Sequence, residues 1–335
     1  MRAGLLLLLF AALPLGTSAL EITTGLALAG ALWIGRQRLS EGGDLLIPVV
    51  LIGIVLQVAS PGVAALGKLW PLALVLAVPI LADTEHRERA VQLGLVSAAL
   101  VGVGAMVTAG SWPARGPFSH HLTLGYALIP PLAAAVHRRS WRCAVGIGAG
   151  ILASASSGPV LSAGLVVATL WWSPSTALLG GAAVSLFLIS ALSNQPALAE
   201  RAVLWSAGAA VAIEHPVGAG VTSVRAAMVS AQDHLSPGFY FPYHAHDSAL
   251  QAAAMSGMAI WIGLVWLLWS LWQRTDTGGR AGLVGVIVGG MTQDTLGDLE
   301  VIRALCAWTL IAVQPDGTDA VRGYEDMKSH ERSPR

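Results

Sequence analysis

His244-Ala245-His246-Asp247 stands directly ahead of an apolar run that reaches Trp272. A neutral imidazole, with a pKa near ~6.5, can take a proton from an attacking hydroxyl, and a neighbouring carboxylate can orient its ring. Together with Asp233 and His234 these residues also have zinc-ligand types. One H-x-H-D, without a helical H-E-x-x-H or a cysteine pair, is a weak metal signal. Two arginines add a second kind of chemistry: Arg201, on the same stretch as Trp205, and Arg115, in a short loop before Gly116 and Pro117. A planar guanidinium grips phosphate oxygens in bidentate fashion and offsets charge that builds on a departing phosphate, with no metal or cofactor required. Each residue also has a plainer use. An arginine beside a tryptophan anchors a helix at a headgroup layer, and a histidine at a helix entrance serves as a polar cap.

The elements that position these residues are set by composition. Charged residues make up 11% of the 335 and apolar types 55%, with a mean hydropathy of +0.67. A soluble domain carries about 25% charged residues, so this chain reads as an all-α integral membrane protein. The 19 basic residues balance the 19 acidic ones and gather in short runs between apolar blocks, which excludes a nucleic-acid partner. Cys143 and Cys306 lie in apolar stretches and imply neither a disulfide framework nor a cysteine-based zinc site.

About twelve transmembrane helices are predicted, over residues 3–15, 21–34, 45–59, 69–82, 90–110, 122–136, 143–156, 160–172, 176–191, 258–272, 281–291 and 301–313. Several are shorter than the ~20 residues an upright span needs. In this numbering the basic segments 36–38, 87–89, 137–142 and 274–280, and the tail, share one side, which the positive-inside rule makes cytoplasmic. Arg2 ahead of a leucine run, followed by Thr17-Ser18-Ala19, gives the first helix an alternative reading as a signal peptide. The expected layout is a membrane domain over residues 1–317, a large outer loop over 192–257 between the ninth and tenth helices, and a charged tail over 318–335.

The loop has its own plan. Leu198, Ala202, Trp205, Ala209 and Ala212 recur at helical spacing over residues 195–214, predicting an amphipathic helix lying on the membrane. His215-Pro216-Val217-Gly218-Ala219-Gly220 ends it and turns the chain, and a second amphipathic piece covers 221–232.

The order Arg201-x-x-x-Trp205, Pro216-Val217-Gly218-Ala219-Gly220, His246-Asp247-x-x-Leu250-Gln251, with Gly257 leading into a membrane helix, resembles the O-antigen ligase and polymerase family. Upstream, Arg115-Gly116-Pro117-Phe118-Ser119-His120-His121 is similar to that family's arginine-bearing outer loop. The resemblance spans residues 112–272 and rests on the order and common side of the motifs. It implies a bacterial inner-membrane glycosyltransferase, acting on the periplasmic face. The partners implied are an undecaprenyl-diphosphate-linked glycan donor, a glycolipid or glycan acceptor and the bilayer. Arg201 and Arg115 match the arginines that bind the carrier diphosphate, and His246 matches the histidine beside the acceptor hydroxyl. Asp247, His244, Tyr243, Trp205 and Gly218 are further candidates for substrate contact. The chain departs from the pattern in Asp247, where asparagine is usual, and in Gly158, where an arginine often follows serine.

Two other classes compete. A twelve-helix transporter or flippase of lipid-linked glycan would place ionisable residues near the midplane of several helices, and the predicted spans hold almost none away from their ends. A metal-dependent membrane hydrolase would use the His244–Asp247 cluster. Asp294, Asp298 and Glu300 are expected at the outer surface, as acceptor ligands or as a solvated turn.

Overall fold

The computed structural model describes residues 2–15, 17–34, 43–62, 68, 72, 74–81, 84–108, 113–114, 116–118, 120–171, 196–237, 245, 247–291, 293, 295 and 298–311. Among these residues the fold is helical, with no β-strand. The helices are α1 (Arg2–Ala12), α2 (Thr17–Ile34), α3 (Gly43–Ala59), α4 (Leu74–Leu81), α5 (Thr84–Thr108), α6 (His121–Ala127), α7 (Ile129–His137), α8 (Trp141–Ala153), α9 (Ser157–Trp171), α10 (Pro196–Glu214), α11 (Val224–Leu235), α12 (Ser248–Ser256), α13 (Ile260–Arg274), α14 (Thr277–Gly290) and α15 (Leu299–Ile311).

One segment among the described residues, His86–Thr108 of α5, is long and apolar enough to cross a membrane by length and composition. Arg2–Ala12, Leu45–Ala59, Trp141–Ala153, Ser157–Trp171 and Val301–Ile311 are apolar but shorter. The helix lengths therefore do not by themselves support about twelve spans, and the predicted helix over 176–191 lies outside the described residues.

Close packing holds the bundle together. Phe10 of α1 meets Trp308 of α15 edge to face, with ring centroids 5.2 Å apart. Gly94 of α5 leaves room for both, because a Cβ there would lie 3.0 Å from each ring. Where α5 crosses α8 the backbones nearly touch: a Cβ on Gly102 would fall 2.2 Å from the Gly146 carbonyl oxygen, and one on Gly150 would fall 2.5 Å from the Gly102 Cα. Gly146 and Gly150 form the small-xxx-small spacing that lets apolar helices approach closely. Outward-facing positions are also apolar, among them Trp33, Leu100, Val107, Val145 and Trp269. These exposed apolar side chains lie on several helices.

One predicted helix is broken. The run over 122–136 splits at Leu128 because Pro130 and Pro131, which lack a backbone N–H, fit only the first turn of α7. The predicted helix over 258–272 is present as α13, displaced by two residues, and Gly257, at φ +76°, sets it off from α12.

The ends of the bundle differ in chemistry. At one end Arg138 meets Glu88 at 2.5 Å, His137 lies 3.7 Å from Asp276, Arg87 donates to the Ile311 carbonyl, and Arg280 donates to the Trp272 carbonyl at 3.1 Å. These contacts join the starts of α5 and α14 to the ends of α7, α13 and α15. Three of the basic segments predicted to share a side are therefore together, while 36–38 and the tail lie outside the described residues. At the other end Thr123 Oγ1 donates to Asp298 Oδ2 at 2.6 Å, and Ser248 Oγ donates to the Gln293 carbonyl at 3.1 Å. That end gathers the starts of α6, α12 and α15 and the end of α14.

Candidate functional site

Helices α10, α11 and α12 build a small unit with its own core of Ala207, Val211, Val224, Met228, Ala245 and Ala254. α10 matches the predicted amphipathic helix closely, and α11 matches the second piece displaced by about three residues (224–235 against 221–232). The turn between them is fixed by glycine. Gly218 and Gly220 both sit at φ +89°. This conformation lets Ala219 and Gly220 donate to the carbonyls of Ala254 and Met255, each at 2.9 Å. Two of the last α12 carbonyls, which no intrahelical N–H can satisfy, are thus paired. Gly218 serves this docking: its position sets the turn against Met255 and Ser256.

The start of α12 is tied in three ways. Asp247 is its N-cap, with Oδ1 accepting from the Leu250 N–H at 2.8 Å. Ala245 donates its N–H to Gln251 Oε1 at 2.9 Å. Ser248, buried, reaches Gln293 and lies 3.3 Å from Thr295 Oγ1, which in turn donates to the Val286 carbonyl of α14. His246 itself, like Tyr243, His244 and Arg115, lies outside the described residues.

Arg201 lies on α10, half-buried, seven residues before Gly208. Seven residues are two helical turns, so the two share a face about 10.5 Å apart along the axis. Gly208 is where α10 meets the histidine segment: a Cβ there would lie 2.9 Å from the Ala245 Cβ and 3.2 Å from the Leu250 Cβ. Arg201 therefore occupies the helix face that packs against the residues flanking His246. Trp205, half-buried, is one turn beyond it. The neighbours of Arg115 are at the same end of the bundle, since Ala114 donates to the Ala153 carbonyl at the end of α8.

Burial raises the Asp247 carboxyl above its ordinary value of 3.8, with the backbone N–H groups of Leu250 and Ala249 opposing part of the shift. A raised folded-state pKa means that the folded chain holds the proton more tightly, so Asp247 lowers stability as pH rises from 3.8 through the raised value. Asp247→Asn keeps the cap and removes the charge. We expect both it and Asp247→Ala to lose this pH-dependent decline in thermal unfolding scans, with Asp247→Ala, which also loses the cap, about 1 kcal/mol less stable than Asp247→Asn at every pH.

One charged side chain escaped the sequence reading. Arg303 on α15 is 0% exposed, inside a run predicted as a span. Its Nη2 lies 3.7 Å from Oε1 of Glu21 on α2, whose side chain is 52% exposed. The apolar run hid it, because only the tertiary fold brings Glu21 and α15 together. Removing the carboxylate should hurt more than removing both groups. Glu21→Ala is expected to cost about 1–3 kcal/mol in detergent unfolding, with Arg303→Met restoring most of the loss in the double variant.

Among the described residues no three His, Cys, Asp or Glu side chains form a metal cluster. The hydrolase alternative falls on His244 and His246, outside those residues. No family model and no curated protein matches the chain.

Proposed function

We propose that this chain is a polytopic bacterial inner-membrane glycosyltransferase of the O-antigen ligase or polymerase type, with about twelve membrane segments and its site on the periplasmic face. The observation that carries this reading is the packing of the Arg201 face of α10 onto the residues on either side of His246. It is supported by the position of this unit at the end of the bundle opposite Arg87, Arg138 and Arg280.

In the proposed reaction the acceptor oxygen attacks the anomeric carbon as His246 takes its proton. The bond from that carbon to the phosphate oxygen breaks, and its electron pair leaves with the undecaprenyl diphosphate. Arg201 and Arg115 stabilise the charge on the departing phosphate. Attack opposite the leaving group inverts the anomeric centre. The chain's own groups suffice for each of these steps.

A transporter or flippase of lipid-linked glycan is the second reading, favoured by the buried Arg303. One experiment separates the two. Wild type, Arg201→Ala and His246→Ala are expressed at equal membrane levels in ligase-deficient and polymerase-deficient hosts that make the native glycan. Lipopolysaccharide gels should show glycan transfer restored by wild type and lost in both variants. The rescued host names the acceptor class, and rescue by both variants would return the two residues to anchor and cap.

A further inference from the structure

We propose that the basic end of the bundle holds a phospholipid headgroup that carries both charges, a phosphodiester and a primary ammonium, as in phosphatidylethanolamine; this rests on the membrane placement proposed above and not on the transfer chemistry. The starts of α5 and α14 and the ends of α7 and α15 leave a cleft of about 360 Å³, open at its mouth. Its inner wall is apolar, with Val91, Pro130, Trp308 and Ile311 all buried. Its rim is polar, with the part-exposed side chains of His137, Arg138 and Asp276. Gly278 lets the His137 ring close against α14, since a Cβ there would lie 3.0 Å from that ring. An apolar wall beneath a charged rim suits an amphiphile, and basic pockets between membrane helices on the cytoplasmic side hold phospholipid headgroups.

The charges at the rim select the headgroup. Arg87 uses Nε on the carbonyl of Ile311, which lines the cleft, and neither of its Nη groups bonds to another described residue. Arg138 Nη1 meets the exposed Glu88, leaving the rest of its fork for a phosphate oxygen. Across residues 84–89, 137–142 and 274–280 seven arginines face three acids, so a phosphate is drawn to this end whatever lipid carries it. Asp276 decides what accompanies the phosphate. Its Oδ1 accepts from the Gly279 N–H at 2.8 Å, and its Oδ2 stands 3.7 Å from His137 Nε2, beyond hydrogen-bond reach. A carboxylate accepts at both oxygens, so Oδ2 has room for an ammonium N–H. A purely anionic headgroup would set its phosphate against this carboxylate with nothing to offset it, and a trimethylammonium has no N–H to donate.

The test uses the full chain. Alkaline carbonate extraction of expressing membranes comes first, and the chain should stay with the bilayer. Thermal unfolding in detergent is then titrated with short-chain phosphatidylethanolamine, phosphatidylcholine and phosphatidylglycerol, and with free phosphoethanolamine. Phosphatidylethanolamine should bind about fivefold more tightly than the other two lipids, and free phosphoethanolamine more weakly than its lipid, because it leaves the apolar wall uncovered. Asp276→Asn, which keeps a good N-cap, should bring phosphatidylethanolamine down to the level of phosphatidylcholine, and Arg138→Gln should weaken all three lipids together. Tightest binding by phosphatidylglycerol, or a phosphatidylethanolamine preference that survives Asp276→Asn, overturns the assignment. Free phosphoethanolamine binding as tightly as the lipid overturns the lipid source. A chain that stays in the bilayer and binds all three lipids equally overturns this inference alone, whereas a chain that carbonate removes overturns the membrane placement and this inference with it.

Discussion

Arg201→Ala is expected to abolish glycan transfer while leaving the fold as stable as before. Loss of one donor that stabilises transition-state charge typically costs about 10²–10³ in rate. Arg201 makes no ion pair or hydrogen bond with another described residue, and it is half-buried on α10. Its removal therefore strands no partner among the described residues, and the stability change should stay within about 0.5 kcal/mol. Arg201→Lys provides the finer cut. An ammonium keeps the charge and loses the fork, so activity should return only in part if bidentate phosphate binding is what the site needs. Donor turnover in proteoliposomes and thermal unfolding in detergent, measured on the same preparations, give the two numbers. Unchanged turnover in Arg201→Ala would mean that the guanidinium is a headgroup anchor.

Two of the unit's three helices, α10 and α11, were legible in the sequence to within about three residues, while α12 was not. The periodicity over 195–214 produced α10, Pro196–Glu214, since its apolar positions have a single core to face. The glycine-rich turn was legible as a turn, but its partner was not: nothing local says that Ala219 and Gly220 will donate to α12, more than thirty residues on. Hydropathy also located the bundle helices while misplacing their ends. α5 begins at Thr84, ahead of the predicted 90, because its first turns carry Glu85, Arg87, Glu88 and Arg89 at the polar end of the bundle. A hydropathy window discards such residues even when the backbone continues as helix. Tertiary pairings were wholly hidden. The glycine contact between α5 and α8 and the approach of Arg303 to Glu21 join distant segments whose residue types, taken singly, look ordinary. Of the candidate site, Arg201, Trp205, Asp247 and Gly218 can be placed, and Arg115, Tyr243, His244 and His246 lie outside the described residues.

Gly218→Ala should disable the protein by a different route, and the contrast identifies what Gly218 does. At φ +89° a Cβ is strained in itself, at roughly 1–2 kcal/mol. Here it would also stand 2.5 Å from the Met255 carbonyl oxygen and 2.5 Å from the Ser256 Cα. Those are backbone atoms at the end of α12, and they cannot move aside as a flexible side chain can. Overpacking of this kind adds about 1–3 kcal/mol, for a total of roughly 2–5 kcal/mol. Gly62 gives the control, because it has φ +123° with nothing within 4 Å of a Cβ, so Gly62→Ala should show the strain alone. Gly104, within α5 and equally open, should tolerate alanine and gain up to about 1 kcal/mol. In Gly218→Ala the turn must release α12, so the segment carrying His246 loses its seat and activity should fall together with stability. A glycine that contacts substrate through its backbone would instead lose activity at constant stability. Unfolding scans of the three alanine variants, run beside the transfer assay, therefore decide whether Gly218 belongs to the site or to the scaffold beneath it.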